Sequence, residues 1–175
     1  MNYATIKPVD IANGPGVRVS LFVSGCTHYC EGCFNAEAWD FHYGEPFDQS
    51  VIDVILGHLN HDYIAGLTLL GGEPMDPRNQ GEVLNLVRQV REQLPKKTIW
   101  CYTGYDFEAD VLGRMMKESE VTRALVPLFD VMVDGKFVQA KKNLSLKFRG
   151  SENQRILDVK KSLDAGCAVL IPEYL

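Results

Sequence analysis

Short apolar runs and longer amphipathic stretches alternate along the chain. In residues 17–23, Val17, Val19 and Leu21 alternate with Arg18 and Ser20, which predicts a strand that Ser24 and Gly25 end. Asp48 is placed to cap a helix running to about residue 60, because Val51, Ile52, Val54, Ile55 and Leu59 recur at helical spacing. A second strand is expected over 66–70, stopped by Gly71 and Gly72. The helix after it, from about 81 to 94, buries Val83, Leu84, Leu86, Val87, Val90 and Leu94. The same alternation predicts a strand over 98–102, a helix from 106 to about 120, and a strand over 129–133 that ends in Asp134 and Gly135. Further on, the pattern predicts an edge strand over 144–148, a short helix over 157–163 and a final strand over 168–171.

Strands alternating with helices imply an α/β fold with parallel strands and right-handed crossovers. A closed eight-fold βα barrel takes about 250 residues, and this chain has 175. The expectation is an incomplete, open (β/α) barrel with helices on its outer side. Residues 1–175 are read as one domain, with 157–175 a tail that carries no usable motif. Each unusual segment falls just after a predicted strand, at the carboxyl edge where parallel α/β folds build their sites.

Composition narrows the function. The chain is 46% hydrophobic and 23% charged, with a formal net charge of -5, so no basic field is available to hold nucleic acid or an anionic bilayer. No apolar run reaches the roughly 20 residues of a membrane span, and residues 1–10 lack the apolar core of a secretion signal; a cytoplasmic location is expected. Five cysteines are present, three of them clustered at 26, 30 and 33. An odd count and local clustering favour metal or cluster ligation over disulfides.

Cys26-Thr27-His28-Tyr29-Cys30-Glu31-Gly32-Cys33 puts three soft thiolates in one loop after the first predicted strand. Structural zinc takes four ligands, and four thiolates saturate an electron-transfer cluster, whereas three on a four-iron cluster leave one iron free. A zinc site completed by His28, Cys101 or Cys167 is the alternative. The turn Gly71-Gly72-Glu73-Pro74 allows a small ligand close to the backbone, and its carboxylate and carbonyls can receive an ammonium group; taken alone, these four residues favour a plain βα turn. His28, His42, His58 and His61 form no triad and are read as surface or satisfied histidines.

Together these segments resemble the radical S-adenosylmethionine superfamily and, within it, the family that activates anaerobic ribonucleoside-triphosphate reductase. The resemblance runs from Tyr3 to about Ile156. It also rests on Asn13-Gly14-Pro15-Gly16-Val17-Arg18, on residues 100–105 and 133–137, and on Arg149-Gly150-Ser151-Glu152-Asn153-Gln154-Arg155. It implies a [4Fe-4S] cluster on Cys26, Cys30 and Cys33, and an open iron chelated by S-adenosylmethionine. Gly71, Gly72, Glu73 and Pro74 would receive the methionine end. Gly32, Cys33 and Phe34 would contact the adenine through main-chain groups, although many superfamily members carry an aromatic residue where Gly32 stands. Reductive cleavage would give a 5'-deoxyadenosyl radical that takes the α hydrogen from a glycine loop of the reductase large subunit. A low-potential donor of flavodoxin type would supply the electron. The pyruvate formate-lyase activators are the nearest rival, but that family generally has Asp at position 13, an aromatic at position 32 and a longer chain. A non-catalytic iron-sulfur or zinc module is the rival from another class.

Overall fold

The structure is a computed structural model that describes residues 1–175. One seven-stranded sheet runs through it. Its strands are β1 (Asn2–Asp10), β2 (Val17–Val23), β3 (Glu45–Pro46), β4 (Ile64–Gly71), β5 (Thr98–Tyr102), β6 (Val131–Asp134) and β7 (Arg155–Asp158), in spatial order β3-β1-β2-β4-β5-β6-β7. β2, β4, β5 and β6 are parallel neighbours. Antiparallel strands flank them: β1 beside β2 with β3 beyond it, and β7 beside β6.

The alternation in each strand sorts the sheet into two faces. Val19, Leu21 and Val23 of β2, Leu67 and Leu69 of β4, Ile99 and Cys101 of β5, Met132 of β6 and Leu157 of β7 share the larger core with the helices. That core takes Ile52, Ile55, Leu56 and Leu59 from α1 (Gln49–Leu59) and Val83, Leu84, Leu86, Val87 and Val90 from α2 (Gln80–Gln93). Asp48 caps α1 as expected, accepting from the backbone N–H groups of Ser50 and Val51.

The other face is smaller and partly polar. Trp100, Val131, Val133 and Ile156 form its buried cluster, with Tyr102, Phe148, Ile171 and Tyr174 packed against them. Beside that cluster Arg18 is 1% exposed. Its guanidinium donates to Thr68 Oγ1 at 2.7 Å, to the Leu67 carbonyl at 2.8 Å and to the Thr98 carbonyl at 3.0 Å, and it lies 5.6 Å from the Trp100 ring. Thr68 in turn donates to the Asn13 carbonyl, which fixes the turn between β1 and β2 over this face.

Several expectations are corrected. The sheet is not wholly parallel. β1 has no clean two-residue period because its pairing with β2 shifts register twice. Residues 144–148 form turns rather than a strand, and Phe148 has a positive φ of 55° that a strand does not accommodate. Leu157 and Asp158 belong to β7, and the helix expected over 157–163 is α5 (Val159–Ala165), capped by Asp158. Residues 168–171 give only one bridge, Leu170 to Leu157. The helix expected from 106 to 120 is a π-helical stretch, Phe107–Met115, followed by α3 (Met116–Glu118); Ser119 breaks it and caps α4 (Glu120–Leu125).

From β2, Arg18 supplies hydrogen bonds to two further strands, β4 and β5. Arg18→Ala strands buried acceptors and opens a void, with an expected loss of at least ~3 kcal/mol. Chemical denaturation of the variant against the wild type measures it.

Candidate functional site

The cysteine loop begins where β2 ends. Gly25, at φ 97°, turns the chain under the ring of Phe41, where a Cβ would stand 2.0 Å from the nearest ring atom. Its N–H donates to the Ala38 carbonyl at 2.7 Å, and that of Cys26 to the Trp39 carbonyl at 3.1 Å, so the returning segment pins the loop's base. Tyr29 adopts φ 49° with its ring edge-on to Trp39 at 5.2 Å, and a bond from Cys33 N to the Cys30 carbonyl closes the turn. Burial pushes the Cys26 thiol up to about 11. Burial also raises Cys30, against a hydrogen bond from the Phe137 backbone. Both thiols are therefore protonated at neutral pH, and a metal bound by them would displace protons.

Gly71 and Gly72 stand where two backbones meet. A Cβ on Gly71, at φ 110°, would lie 2.7 Å from Phe22 Cα and from Val23 N, and one on Gly72 would lie 2.5 Å from the Gly25 carbonyl oxygen. Both glycines are required by the protein's own packing. Glu73 follows, 1% exposed. Its carboxylate accepts from Met75 N at 2.9 Å, Gly104 N at 2.7 Å and Nε2 of His28 at 2.8 Å. It is thus committed to the cysteine loop and to the end of β5, and the side chain is not free to receive an ammonium group. Asn79 completes the clasp, donating to the Ser24 and Glu73 carbonyls at 3.0 Å each.

A cavity of about 600 Å³ opens over these segments. The structure brings Cys26, Cys30, Gly32, Cys33, Phe34, Gly71, Gly72 and Glu73 to its wall. It does not bring Pro74, which is buried in the turn outside the lining. Phe34 is 84% exposed. The opposite wall comes from Thr103, Gly104 and the 135–154 segment, including Phe137, Leu146 and Arg149. Cys101 is buried on the helix-covered face, with its thiol raised well above its ordinary value by burial, and Cys167 is exposed near the carboxyl end. Neither lines the cavity. Of the three side chains named for a fourth zinc ligand, Cys101 and Cys167 lie away from the loop, and His28 is oriented there by Glu73 through Nε2.

A family model described as a 4Fe-4S single cluster domain matches residues 12–157. Relatives bearing the name anaerobic ribonucleoside-triphosphate reductase-activating protein extend the likeness over most of the chain. The one from Enterobacteria phage T4 is 44% identical over 158 residues, 89% of this chain and 93% of the relative. Those from Escherichia coli (strain K12) and Pasteurella multocida (strain Pm70) are also 44% identical, covering 88% and 89% of this chain and 96% of each relative. The chain belongs to this family of reductase-activating proteins.

In this member of the activating family, the residue that sequence reasoning undervalued is His28. The sequence marks it only as a surface or satisfied histidine or a fourth zinc ligand; the structure satisfies it and gives it a structural role, its ring buried between Glu73 and Tyr105 with the Tyr105 ring edge-on at 4.6 Å. A signal was present: His28 lies inside the cysteine spacing, opposite a turn that brings a carboxylate. Gly104 has the matching requirement, since a Cβ there would sit 2.4 Å from the His28 ring. Asn79 carried no such signal, because it lies in an ordinary turn before α2.

The two kinds of glycine separate experimentally. Gly72→Ala drives a methyl into the Gly25 and Ala38 backbone, so reconstituted iron content is expected to fall together with stability. Gly57→Ala in α1, where nothing lies within 4 Å of the new methyl, is expected to gain roughly 0.5–1 kcal/mol and retain full iron. Iron assay and thermal melting distinguish them.

Proposed function

We propose that this chain is the activating enzyme of an anaerobic ribonucleoside-triphosphate reductase. On this reading Cys26, Cys30 and Cys33 hold a [4Fe-4S] cluster, and S-adenosylmethionine occupies the adjoining cavity. The carrying observation is a single cavity that joins three cysteines, and no fourth, to the glycine turn after β4. Tetrahedral zinc thiolates lie about 3.8 Å apart. The three ligand-type side chains whose donor atoms fall within 4.8 Å of one another are Asp106, Glu108 and Asp134, not the cysteines. Arg155 already occupies the acidic trio.

The fold supports the same reading. β2, β4, β5 and β6 follow one another across the sheet in chain order, and the intervening helices share one core on one face. A doubly wound fold reverses its order and covers both faces; progressive winding on one face is that of a barrel cut open. We read residues 1–175 as one such open radical S-adenosylmethionine barrel, with the tail as its plug, because Tyr174 packs edge-on against Trp100 and Phe148.

Within the cavity, main-chain groups of Gly32, Cys33 and Phe34 are assigned to the adenine. The methionine end falls to the main chain of Gly71, Gly72 and Glu73, the Glu73 side chain acting through His28 and Gly104 to hold the walls in register. The Gly72 carbonyl meets no donor of the protein's own and is the acceptor offered to an ammonium group. When bound, the cluster supplies the electron that cleaves S-adenosylmethionine to methionine and a 5'-deoxyadenosyl radical. The open mouth, 600 Å³ behind it, suits a glycine loop of the reductase large subunit, from which that radical takes a hydrogen. A flavodoxin-type donor and a cytoplasmic location fit this chemistry. No helix is long and apolar enough to cross a membrane.

Anaerobically reconstituted protein is expected to carry about four irons per chain and to change its reduced-cluster spectrum on adding S-adenosylmethionine. Alanine at Cys26, Cys30 or Cys33 is expected to abolish cofactor cleavage, and alanine at Cys101 or Cys167 to leave the cluster in place. Mixed with the reductase, the wild type is expected to yield a glycyl radical in electron paramagnetic resonance. The signal should vanish when the target glycine is changed to alanine. Zinc in place of iron, or a spectrum indifferent to the cofactor, refutes the reading. A radical formed only on pyruvate formate-lyase moves the target.

A further inference from the structure

Arg149 reaches the cavity with donors that the protein does not use. The other arginines of the folded body are committed or fully solvated. Arg18 spans three strands, Arg155 sits among three carboxylates, Arg78, Arg91, Arg114 and Arg123 each hold one, and Arg88 is exposed on α2. Arg149 holds no carboxylate, although the chain carries a net charge of -5. Its Nη1 makes one long bond, 3.3 Å, to the Gln154 carbonyl. Its Nε is shut off from solvent with no acceptor in reach, and no protein acceptor meets Nη2.

The side chain is also held rather than adrift. Phe148, immediately before it, has a left-handed backbone at φ 55°, a conformation that costs a non-glycine residue about 1–2 kcal/mol. Tyr102 OH donates to the Phe148 carbonyl at 2.8 Å, and the Phe148 ring packs edge-on against Trp100 and Tyr174. On the other side Gly150 N and Ser151 N donate to Gln154 Oε1, while Gln154 Nε2 donates to the Gly135 carbonyl after β6. Both flanks of Arg149 are thereby pinned, one to β5 and one to the end of β6.

A half-buried cation with an unpaired N–H is costly, and a counter-anion removes the cost. Guanidinium donors match a carboxylate, which can engage two of them together. We propose that Arg149 is a carboxylate-binding residue of this cavity. Nη2, which no protein acceptor meets, is the donor open to a carboxylate in the cavity, and a small shift of the 144–149 turns would admit the same carboxylate to Nε. Lys142, the other cation of the lining, is exposed. The proposal rests on the functional reading above, which offers two sources of the same chemistry: the methionine carboxylate of S-adenosylmethionine, and an acidic side chain or chain end on the reductase loop.

The test uses cluster-loaded full-length protein under anaerobic conditions, with Arg149→Gln compared to wild type by titration calorimetry. The probes are S-adenosylmethionine, its decarboxylated analogue and the intact reductase. If the source is the cofactor, Arg149→Gln weakens S-adenosylmethionine about tenfold or more and leaves the decarboxylated analogue unchanged. If the source is the reductase, cofactor affinity stays and reductase affinity falls by a similar factor. Iron content and melting temperature check the fold. Should the glutamine variant lose iron, Arg149→Lys carries the same comparison, keeping the charge without the planar fork, with about threefold weakening expected. Unchanged affinity for all three probes in an iron-replete variant overturns the proposal alone. A wild-type cluster indifferent to S-adenosylmethionine overturns the functional reading and this proposal with it.

Discussion

The site depends on one buried carboxylate. Glu73 gathers the Met75 and Gly104 backbone N–H groups and the His28 ring, so a single side chain fixes the end of β4, the end of β5 and the middle of the cysteine loop relative to one another. Hydrogen bonds to an ionised acceptor out of water are among the stronger polar interactions a fold makes, and removing the acceptor would leave three donors stranded. The neighbouring glycines follow from the same closeness. Gly72 lies against the Gly25 and Ala38 carbonyls and Gly104 against His28, so a side chain on either would push apart the elements that Glu73 draws together.

That clasp works on a platform stiffened from below. The second face of the sheet has no helix layer. It is filled instead by Arg18 under Trp100 and by the aromatic group of Trp100, Phe148 and Tyr174. Burial lowers the Arg18 guanidinium to about 10, still charged at neutral pH, and its donors tie β2, β4 and β5 together where no backbone ladder reaches across all three. The filling leaves the cavity above it at the carboxyl edge. The 135–154 segment that forms the far wall is anchored on the same aromatic group through Phe148, so the floor and one wall are a single packed unit.

Legibility followed the physics of each signal. α1 and α2 were readable almost residue for residue because their burial is one-sided and periodic, and β5 because it is a short apolar run buried on both faces. β1 was not, since its register shifts break the alternation, and neither was the π-helical stretch from Phe107, whose start is set by Asp106 and by Asp134 accepting from Phe107 N across the sheet. The cysteine loop and glycine turn were readable as chemistry because their spacing is unusual. Their mutual geometry was not: Gly72 is held by contact with Gly25, 47 positions earlier, and Glu73 by Gly104, 31 positions later. Local pattern carries no such information. The final 19 residues, without a motif, hold an edge strand end, a helix and the aromatic plug.

The cavity's shape bears on what it can act upon. Three of its walls are rigid by the contacts above, while its mouth carries Phe34, 84% exposed, and Leu144, 90% exposed. Apolar side chains so open to water at the edge of a largely apolar cleft are the pattern of a surface completed by another molecule. A small free substrate would gain little from them and could not close the mouth. A protein loop could cover both at once, exclude water from the reacting centre, and hold the target hydrogen close without translational freedom, a term of several kcal/mol in its own right. On the proposed function, whose target is a backbone glycine, an open site is therefore no defect: the target brings its own lid.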